Sequence, residues 1–219
     1  MRLHIKISKT SQIIDFNYQP LLTGCVHKWL GKDNLQHGEV SLYSFSCLQN
    51  VDVVKKGIQL TDNSYFILSF HDVDLTKIVV KNIVDDPEMF FGAKVCNIYI
   101  EQPPCFAEKE RFLLASPVLI KRYEGHKETH YTFYDERSDE LLTETLKTKA
   151  QIVGLNTDSL KVYFDKSYHS PKTKVISYKG IKNRANVCPV IIEGSPEIIS
   201  FAWHVGLGNC TGIGFGALK

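Results

Sequence analysis

The sequence predicts an α+β fold of two tandem ferredoxin-like (RRM-like, βαββαβ) domains, and three observations lead to that prediction. Residues 2–7 alternate polar and apolar side chains, which is typical of a half-buried strand. Helical and strand-like segments then follow in the order strand, helix, strands, helix, strand, the split βαβ arrangement. After a Gln102-Pro103-Pro104 break the same order recurs, so we place a domain boundary near residue 108.

Local patterns predict the elements of the first domain, residues 1–108. Residues 20–30 carry apolar side chains at helical spacing, with Pro20 in the first turn and Gly31 after the last. Thr61-Asp62-Asn63 is typical of a turn, so we expect residues 58–60 and 65–70 to form a hairpin around it. The other predicted elements are strands over 43–47 and 95–100 and a helix over 75–83 capped near Asp74.

The second domain, residues 109–219, repeats this topology without repeating the sequence. Ser195-Pro196-Glu197 combines an N-cap residue, a proline at the first helical position and an acid in the first turn, so a helix begins there. The other predicted elements are strands over 111–121 and 160–164, a helix over 138–151, a β pair of 174–178 with 187–192, and a closing strand over 213–218.

Composition excludes several classes of protein. The 219 residues are 43% hydrophobic and 23% charged, an ordinary globular composition that argues against disorder. No apolar run approaches the roughly 20 residues of a membrane span. The N-terminus lacks the apolar core of a signal peptide, so we expect a cytoplasmic protein. The six cysteines are scattered without a CxxC pair, which argues against zinc and against a disulfide framework.

Positive charge concentrates in the second domain. Residues 1–108 carry a net charge of −2 and residues 109–219 a net charge of +4, and residues 166–192 contain no acid. That stretch interleaves Tyr168, His169 and Tyr178 with basic residues, of which we predict five to bind RNA: Lys172, Lys174, Lys179, Lys182 and Arg184. Basic residues mixed with aromatics suit a phosphate backbone with unstacked bases. The alternative is a solvated hairpin with lysines on its edges.

The C-terminal tail is rich in glycine. Five of the 14 glycines fall within residues 206–216, at Gly206, Gly208, Gly212, Gly214 and Gly216. Glycine lets backbone amides approach a ligand closely, so the segment is either a loop that cradles phosphates or a closing strand against which RNA packs. We predict RNA contacts for the first four of these glycines. No Walker or dinucleotide-binding motif is present, and a tight turn is the alternative.

The glycine-rich tail resembles the C-terminal signature of the repeat-associated RNA-processing superfamily of CRISPR systems, and most closely its repeat-cleaving endoribonucleases. Residues 17–24 (Asn-Tyr-Gln-Pro-Leu-Leu-Thr-Gly) resemble the family's entry into its first helix. Leu35-Gln36-His37-Gly38, followed by the strand-like residues 42–46, resembles its histidine block. Residues 112–118 (Phe-Leu-Leu-Ala-Ser-Pro-Val) resemble the first strand of its second domain.

This resemblance implies two tandem ferredoxin-like domains and metal-independent cleavage of precursor CRISPR RNA within its repeats. In that chemistry the 2′-hydroxyl attacks the adjacent phosphate and leaves a 2′,3′-cyclic phosphate, with no cofactor required. The implied partner is CRISPR repeat RNA. Other CRISPR-associated proteins are further candidate partners, and no membrane partner is expected. The oligomeric state, monomer or homodimer, is open.

Two of the eight histidines match family positions for proton transfer. His37 matches the family's catalytic histidine, and His27 matches a helix position where relatives often place a tyrosine. His27 lies on the polar side of its helix, about 150° from the apolar stripe. Imidazole suits both acid and base roles because it titrates near neutrality, so either histidine can be the base. A family lysine facing the phosphate has no counterpart near Ser41, and Lys28 or Lys32 is the alternative.

Three other functions remain open at this point. A non-cleaving subunit of the same superfamily would hold guide RNA in an effector complex. A plain RNA-recognition module would stack bases on sheet aromatics, and only Gly214-Phe215-Gly216 resembles its strand motif. The carboxylates at Asp72, Asp74 and residues 85–88 suggest a metal-dependent nuclease, but acids at helix ends act as caps or solvated charge.

Overall fold

We describe the fold from a computed structural model, which places residues 1–31, 40–125 and 127–219. The elements of the first domain, in chain order, are β1 (Arg2–Ile7), α1 (Gln19–Leu30), β2 (Tyr43–Phe45), β3 (Asp52–Val54), β4 (Gly57–Gln59), β5 (Tyr65–Phe70), α2 (Val73–Asp85) and β6 (Val95–Glu101). The mixed helix and strand content confirms the α+β class. Both helices begin within two residues of their predicted starts because Pro20 lies in the first turn of α1 and Asp72 caps α2.

The sheet of the first domain has the antiparallel order β2-β5-β1-β6, the strand order of a ferredoxin-like domain. The predicted hairpin of residues 58–60 with 65–70 is wrong. β4 pairs with β3, and β5 pairs with β1 and β2 instead. The reason is that β3 and β4 form a separate two-stranded insertion before the central strand β5.

One face of this sheet packs on α1 and α2. Leu3 and Ile5 of β1 and Phe66 of β5 are fully buried in one cluster with Val26 and Trp29 of α1. The alternation in β1 therefore places every second side chain in the core. His4 and Lys6 point to the opposite face and are partly exposed.

The second domain contains β7 (Lys109–Phe112), β8 (Ile120–Glu124), β9 (Lys127–Tyr131), α3 (Ser138–Ile152), β10 (Lys161–Phe164), β11 (Lys172–Tyr178), β12 (Ile181–Val187), β13 (Val190–Glu193) and α4 (Pro196–Val205). The Ser195 side chain accepts a hydrogen bond from the Ile198 amide, as the predicted N-cap requires. The predicted strand over 111–121 is wrong, because the chain leaves the sheet after Phe112. It makes only isolated bridges at Leu114, Val118 and Leu119 before β8 begins.

The three-stranded sheet of the second domain has the order β10-β13-β7. The predicted closing strand over 213–218 is wrong. In this described segment the chain forms no strand, and Leu218 makes only an isolated bridge with Leu114. The predicted pairing of 174–178 with 187–192 is also wrong. β11 pairs with β12 through a turn at Lys179-Gly180, where both residues have positive φ. β13 instead pairs with β10 in the three-stranded sheet.

The two domains pack closely through β1, β2 and α4. The Arg2 guanidinium donates a 2.7 Å hydrogen bond to the Trp203 carbonyl and lies 3.4 Å from the centre of the Trp203 ring. The Ser44 hydroxyl donates to the His204 carbonyl at 2.9 Å. These contacts direct the tail that follows α4 toward the first domain. No helix in the described ranges has the length and apolar character that crossing a bilayer requires.

Candidate functional site

The glycine-rich tail forms a loop between the two domains. After α4 the chain makes a short 3-10 helix, Thr211–Ile213, and passes along α1. The Gln19 side chain of α1 donates a 2.6 Å hydrogen bond to the Ile213 carbonyl. The five tail glycines are buried among the protein's own atoms: Gly206, Gly208, Gly212, Gly214 and Gly216. Gly206, Gly212 and Gly214 lie against the first domain, whereas Gly208 and Gly216 lie against backbone of the second. Close packing accounts for these glycines, and RNA contact by four of them stays a prediction.

Gly212 lies where a side chain has no room. A β-carbon at this position would lie 2.3 Å from the Ser41 Oγ and 3.0 Å from the Tyr43 hydroxyl. The absence of a side chain brings the Gly212 backbone against the first domain, so that its carbonyl oxygen lies within hydrogen-bond distance of His27 and Tyr43.

His27 projects from α1 toward this carbonyl. Its Nε2 lies 3.1 Å from the Gly212 oxygen and 3.3 Å from the Tyr43 hydroxyl, which itself donates to the Gly212 oxygen at 3.2 Å. A carbonyl oxygen only accepts hydrogen bonds, so Nε2 carries a proton when it makes this contact, and the neutral ring then has its lone pair on Nδ1. The tail loop thus sets the orientation and tautomer of a partly buried imidazole.

Tyr43 is a hydrogen-bond donor in this cluster. Burial raises the pKa of its phenol to about 12, an effect that a hydrogen bond with Ser41 partly offsets. The hydroxyl therefore stays protonated near neutral pH and does not act as a base there. It orients the Gly212 carbonyl and the His27 ring, both of which lie on other segments of the chain.

The β11–β12 hairpin lies beside this cluster and contacts α1. Burial raises the pKa of Tyr178, and a hydrogen bond with Thr23 of α1 partly offsets this rise. The five predicted RNA-binding cations on the hairpin are all exposed: Lys172, Lys174, Lys179, Lys182 and Arg184. Within the described ranges, no carboxylate lies within 4.0 Å of any of them. Their charges are available to an anion.

Three predicted residues remain, and the structure describes one of them, Lys28. His37 and Lys32 lie outside the described residues, so the role proposed for His37 is untested. Lys28 pairs with Asp86 at 2.9 Å and donates to the Glu88 carbonyl at 2.6 Å, so its ammonium is engaged away from the tail.

The carboxylates at the ends of α2 already have hydrogen-bond or ion-pair partners within the protein. Asp72 caps α2, and Asp74 pairs with Lys77 at 2.8 Å. Across the part of the chain that the structure describes, no three His, Cys, Asp or Glu side chains converge as a metal site would require.

Sequence reasoning missed Tyr43, Lys149 and Thr211. Tyr43 was predicted only as a strand residue, and Lys149 only as part of a helix, where it shares the face of Leu142 and Leu146. Both are buried at the junction with the tail. The contact of Tyr43 with Gly212 has no local signal, because the two residues are 169 residues apart in the chain. The available signals were the glycine spacing of the tail and a lysine at a core position of α3.

The two ferredoxin-like domains and the glycine-rich tail packed against the helix that carries His27 agree with the resemblance to CRISPR-associated RNA-processing proteins. A family model described as the C-terminal part of CRISPR-associated protein Cas6 matches residues 100–219. The chain belongs to the Cas6 family.

Individual relatives are similar over most of their length. A CRISPR-associated endoribonuclease-like protein of Pyrococcus horikoshii, Cas6nc, is 23% identical over 175 residues, which cover 75% of this chain and 72% of the relative. The structure of a Cas6-related protein from Pyrococcus furiosus has a TM-score of 0.86 and 22% identity, covering 100% of this chain and 97% of that one. A Cas6 product complex has a TM-score of 0.69 and 12% identity, with full coverage of both chains.

Proposed function

We propose that this protein is an endoribonuclease that cleaves precursor CRISPR RNA within its repeats, without a metal ion. The observation that carries the proposal is the His27 imidazole held against the Gly212 carbonyl beside an exposed basic hairpin. A proton-transfer group next to a phosphate-binding surface is the minimum that RNA transesterification needs. Membership of the Cas6 family supports the same substrate, repeat RNA.

The proposed reaction divides the work between the domains, residues 1–108 and 109–219. One imidazole removes the proton of the 2′-hydroxyl, whose oxygen attacks the adjacent phosphorus. The P–O5′ bond breaks, and the other imidazole protonates the departing 5′ oxygen, so the products are a 2′,3′-cyclic phosphate and a 5′-hydroxyl. His27 and His37 are the proposed pair. The hairpin cations hold the RNA backbone, and the tail fixes His27.

The test is cleavage of the repeat RNA of the protein's own locus in excess EDTA, followed by mapping of both ends. We expect full activity with a 2′,3′-cyclic phosphate on the upstream fragment. A substrate with a 2′-deoxy nucleotide at the cleavage site is the matched control, and it should bind normally without being cut. Activity that EDTA abolishes and magnesium restores contradicts the proposal. Tight binding without cleavage favours a non-cleaving subunit that holds guide RNA.

The basic hairpin gives a separate prediction about affinity. Lys182 and Arg184 alternate with buried Asn183 and Ala185 and point away from the protein. Replacing both with alanine should weaken RNA binding and reduce the slope of log Kd against log salt by about 0.7–0.9 per lost contact, because fewer counterions are released. Cleavage at saturating RNA should persist. Filter binding across a salt series measures the slope.

The matched control for the hairpin removes the same charge elsewhere. Lys77 and Lys81 lie on α2 and are exposed, so their double alanine variant should keep both the affinity and the salt slope. If the hairpin variant behaves like this control, the hairpin is a solvated surface and the RNA follows another path.

A further inference from the structure

Lys149 on α3 is a buried lysine with no carboxylate partner among the residues that the structure describes. Its side chain is only 4% exposed. The Nζ donates to the Thr211 hydroxyl at 2.9 Å and to the Val205 carbonyl at 3.3 Å. No carboxylate in the described ranges lies within 4.0 Å of it, although lysine is almost never fully buried unless it is paired. Burying an amine without a carboxylate partner destabilises the folded state, so we looked for a role of Lys149 other than stability.

The two contacts of Lys149 lie at opposite ends of one segment. Val205 is the last residue of α4, where the helix dipole favours a positive group, and Thr211 begins the 3-10 helix. The amine therefore ties both ends of residues 206–210 to α3. Gly212, the residue after Thr211, supplies the carbonyl that contacts His27 and Tyr43.

We propose that Lys149 is a positioning residue for RNA cleavage, which holds Thr211 and so fixes the Gly212 carbonyl that orients His27. The inference rests on the proposed role of His27. It assigns the second domain a part in the reaction that is separate from RNA binding. Lys149 of α3 holds the same loop that Gln19 and His27 of α1 contact.

The chemistry of the amine fits this role. Burial lowers the pKa of Lys149 to about 7, a shift that the nearby Cys210 partly opposes. Both the ammonium and the neutral amine have N–H groups to donate, so the contact with Thr211 needs the amine and does not need its charge. Methionine at this position would fill the space without donating.

The experiment compares two matched pairs of variants in single-turnover cleavage at saturating repeat RNA. Thr211→Val removes the hydroxyl acceptor and Thr211→Ser keeps it. Lys149→Met removes the amine, and Lys147→Met changes a partly exposed lysine on the same helix. We expect Thr211→Val and Lys149→Met to cleave about 10- to 100-fold more slowly, with RNA affinity within about twofold. The Thr211→Ser and Lys147→Met variants should match the wild type.

A second readout does not depend on cleavage. The ¹⁵N chemical shifts of the His27 imidazole report which nitrogen carries the proton. The wild type and Thr211→Ser should show the Nε2–H form, and Thr211→Val should lose that preference. Wild-type rates and imidazole shifts in Thr211→Val and Lys149→Met would overturn the inference and leave the proposed function intact. If the wild type fails to cleave, the shifts alone still decide the positioning.

The pH dependence of stability checks that the amine is buried in solution. The folded state binds fewer protons than the unfolded state between pH 7 and about 10, so the lysine makes unfolding less favourable as the pH rises through this range. Lys149→Met should flatten that rise relative to Lys147→Met. An equal rise in both variants would show an amine exposed to water and would overturn the inference.

Discussion

Replacing His27 with alanine should lower the cleavage rate at saturating RNA by at least about 100-fold, the usual contribution of a general acid or base. The imidazole is held by the Gly212 carbonyl and Tyr43, beside the hairpin that we propose binds the phosphates. RNA affinity should change little, because the phosphates are held by other residues. Rates under single-turnover conditions and a separate equilibrium binding curve distinguish the two effects.

His27→Gln is the matched variant. A glutamine amide can donate to the Gly212 carbonyl, as Nε2 does, but cannot transfer protons near neutral pH. We expect it to retain the stability of the wild type and still lose the rate. Recovery of the rate in His27→Gln would show that the residue only anchors the tail.

The same assay applies to His37, whose role follows from the sequence alone. His37→Ala should also cost at least about 100-fold in rate with RNA affinity almost unchanged. Because the two histidines act in one reaction, the double variant should be little slower than either single variant. A loss of binding equal to the loss of rate would show that His37 only positions the RNA.

The largest effect on stability should come from Gly216→Ala. Gly216 has a φ of +68°, and an added β-carbon would lie 1.9 Å from the Leu207 carbonyl oxygen. The left-handed conformation costs about 1–2 kcal/mol for a residue with a side chain, and overlap with backbone adds about 1–3 kcal/mol. We therefore expect a loss of about 2–5 kcal/mol in the free energy of unfolding, measured by urea denaturation.

Gly154→Ala separates the two contributions. Its φ is +75°, close to that of Gly216, but no atom lies within 4 Å of an added β-carbon. This variant should lose only the conformational part, about 1–2 kcal/mol. Equal losses in both variants would show that the backbone at Gly216 moves away from Leu207 and relieves the overlap.

The sequence by itself determined the elements whose signals are local. Ser195 and Pro196 set the start of α4, and the apolar spacing of residues 20–30 set α1, because caps and helical periodicity act within one or two turns. The same local patterns gave the strand–helix order of the first domain and the charge of the β11–β12 hairpin. The glycine spacing of the tail marked the family and the place of the site.

Strand pairing and the partners of His27 were decided by the tertiary structure. β11 pairs with β12 because Lys179 and Gly180 both take up positive φ, which the sequence pattern of a lysine did not indicate. His27 and Gly212 are 185 residues apart, and they meet only because α4 packs on the first domain through Arg2 and Ser44. Lys149 lies on the same helical face as Leu142 and Leu146, but the sequence does not show what satisfies its amine. Its burial depends on the tail folding back over α3, since only that packing removes the amine from water.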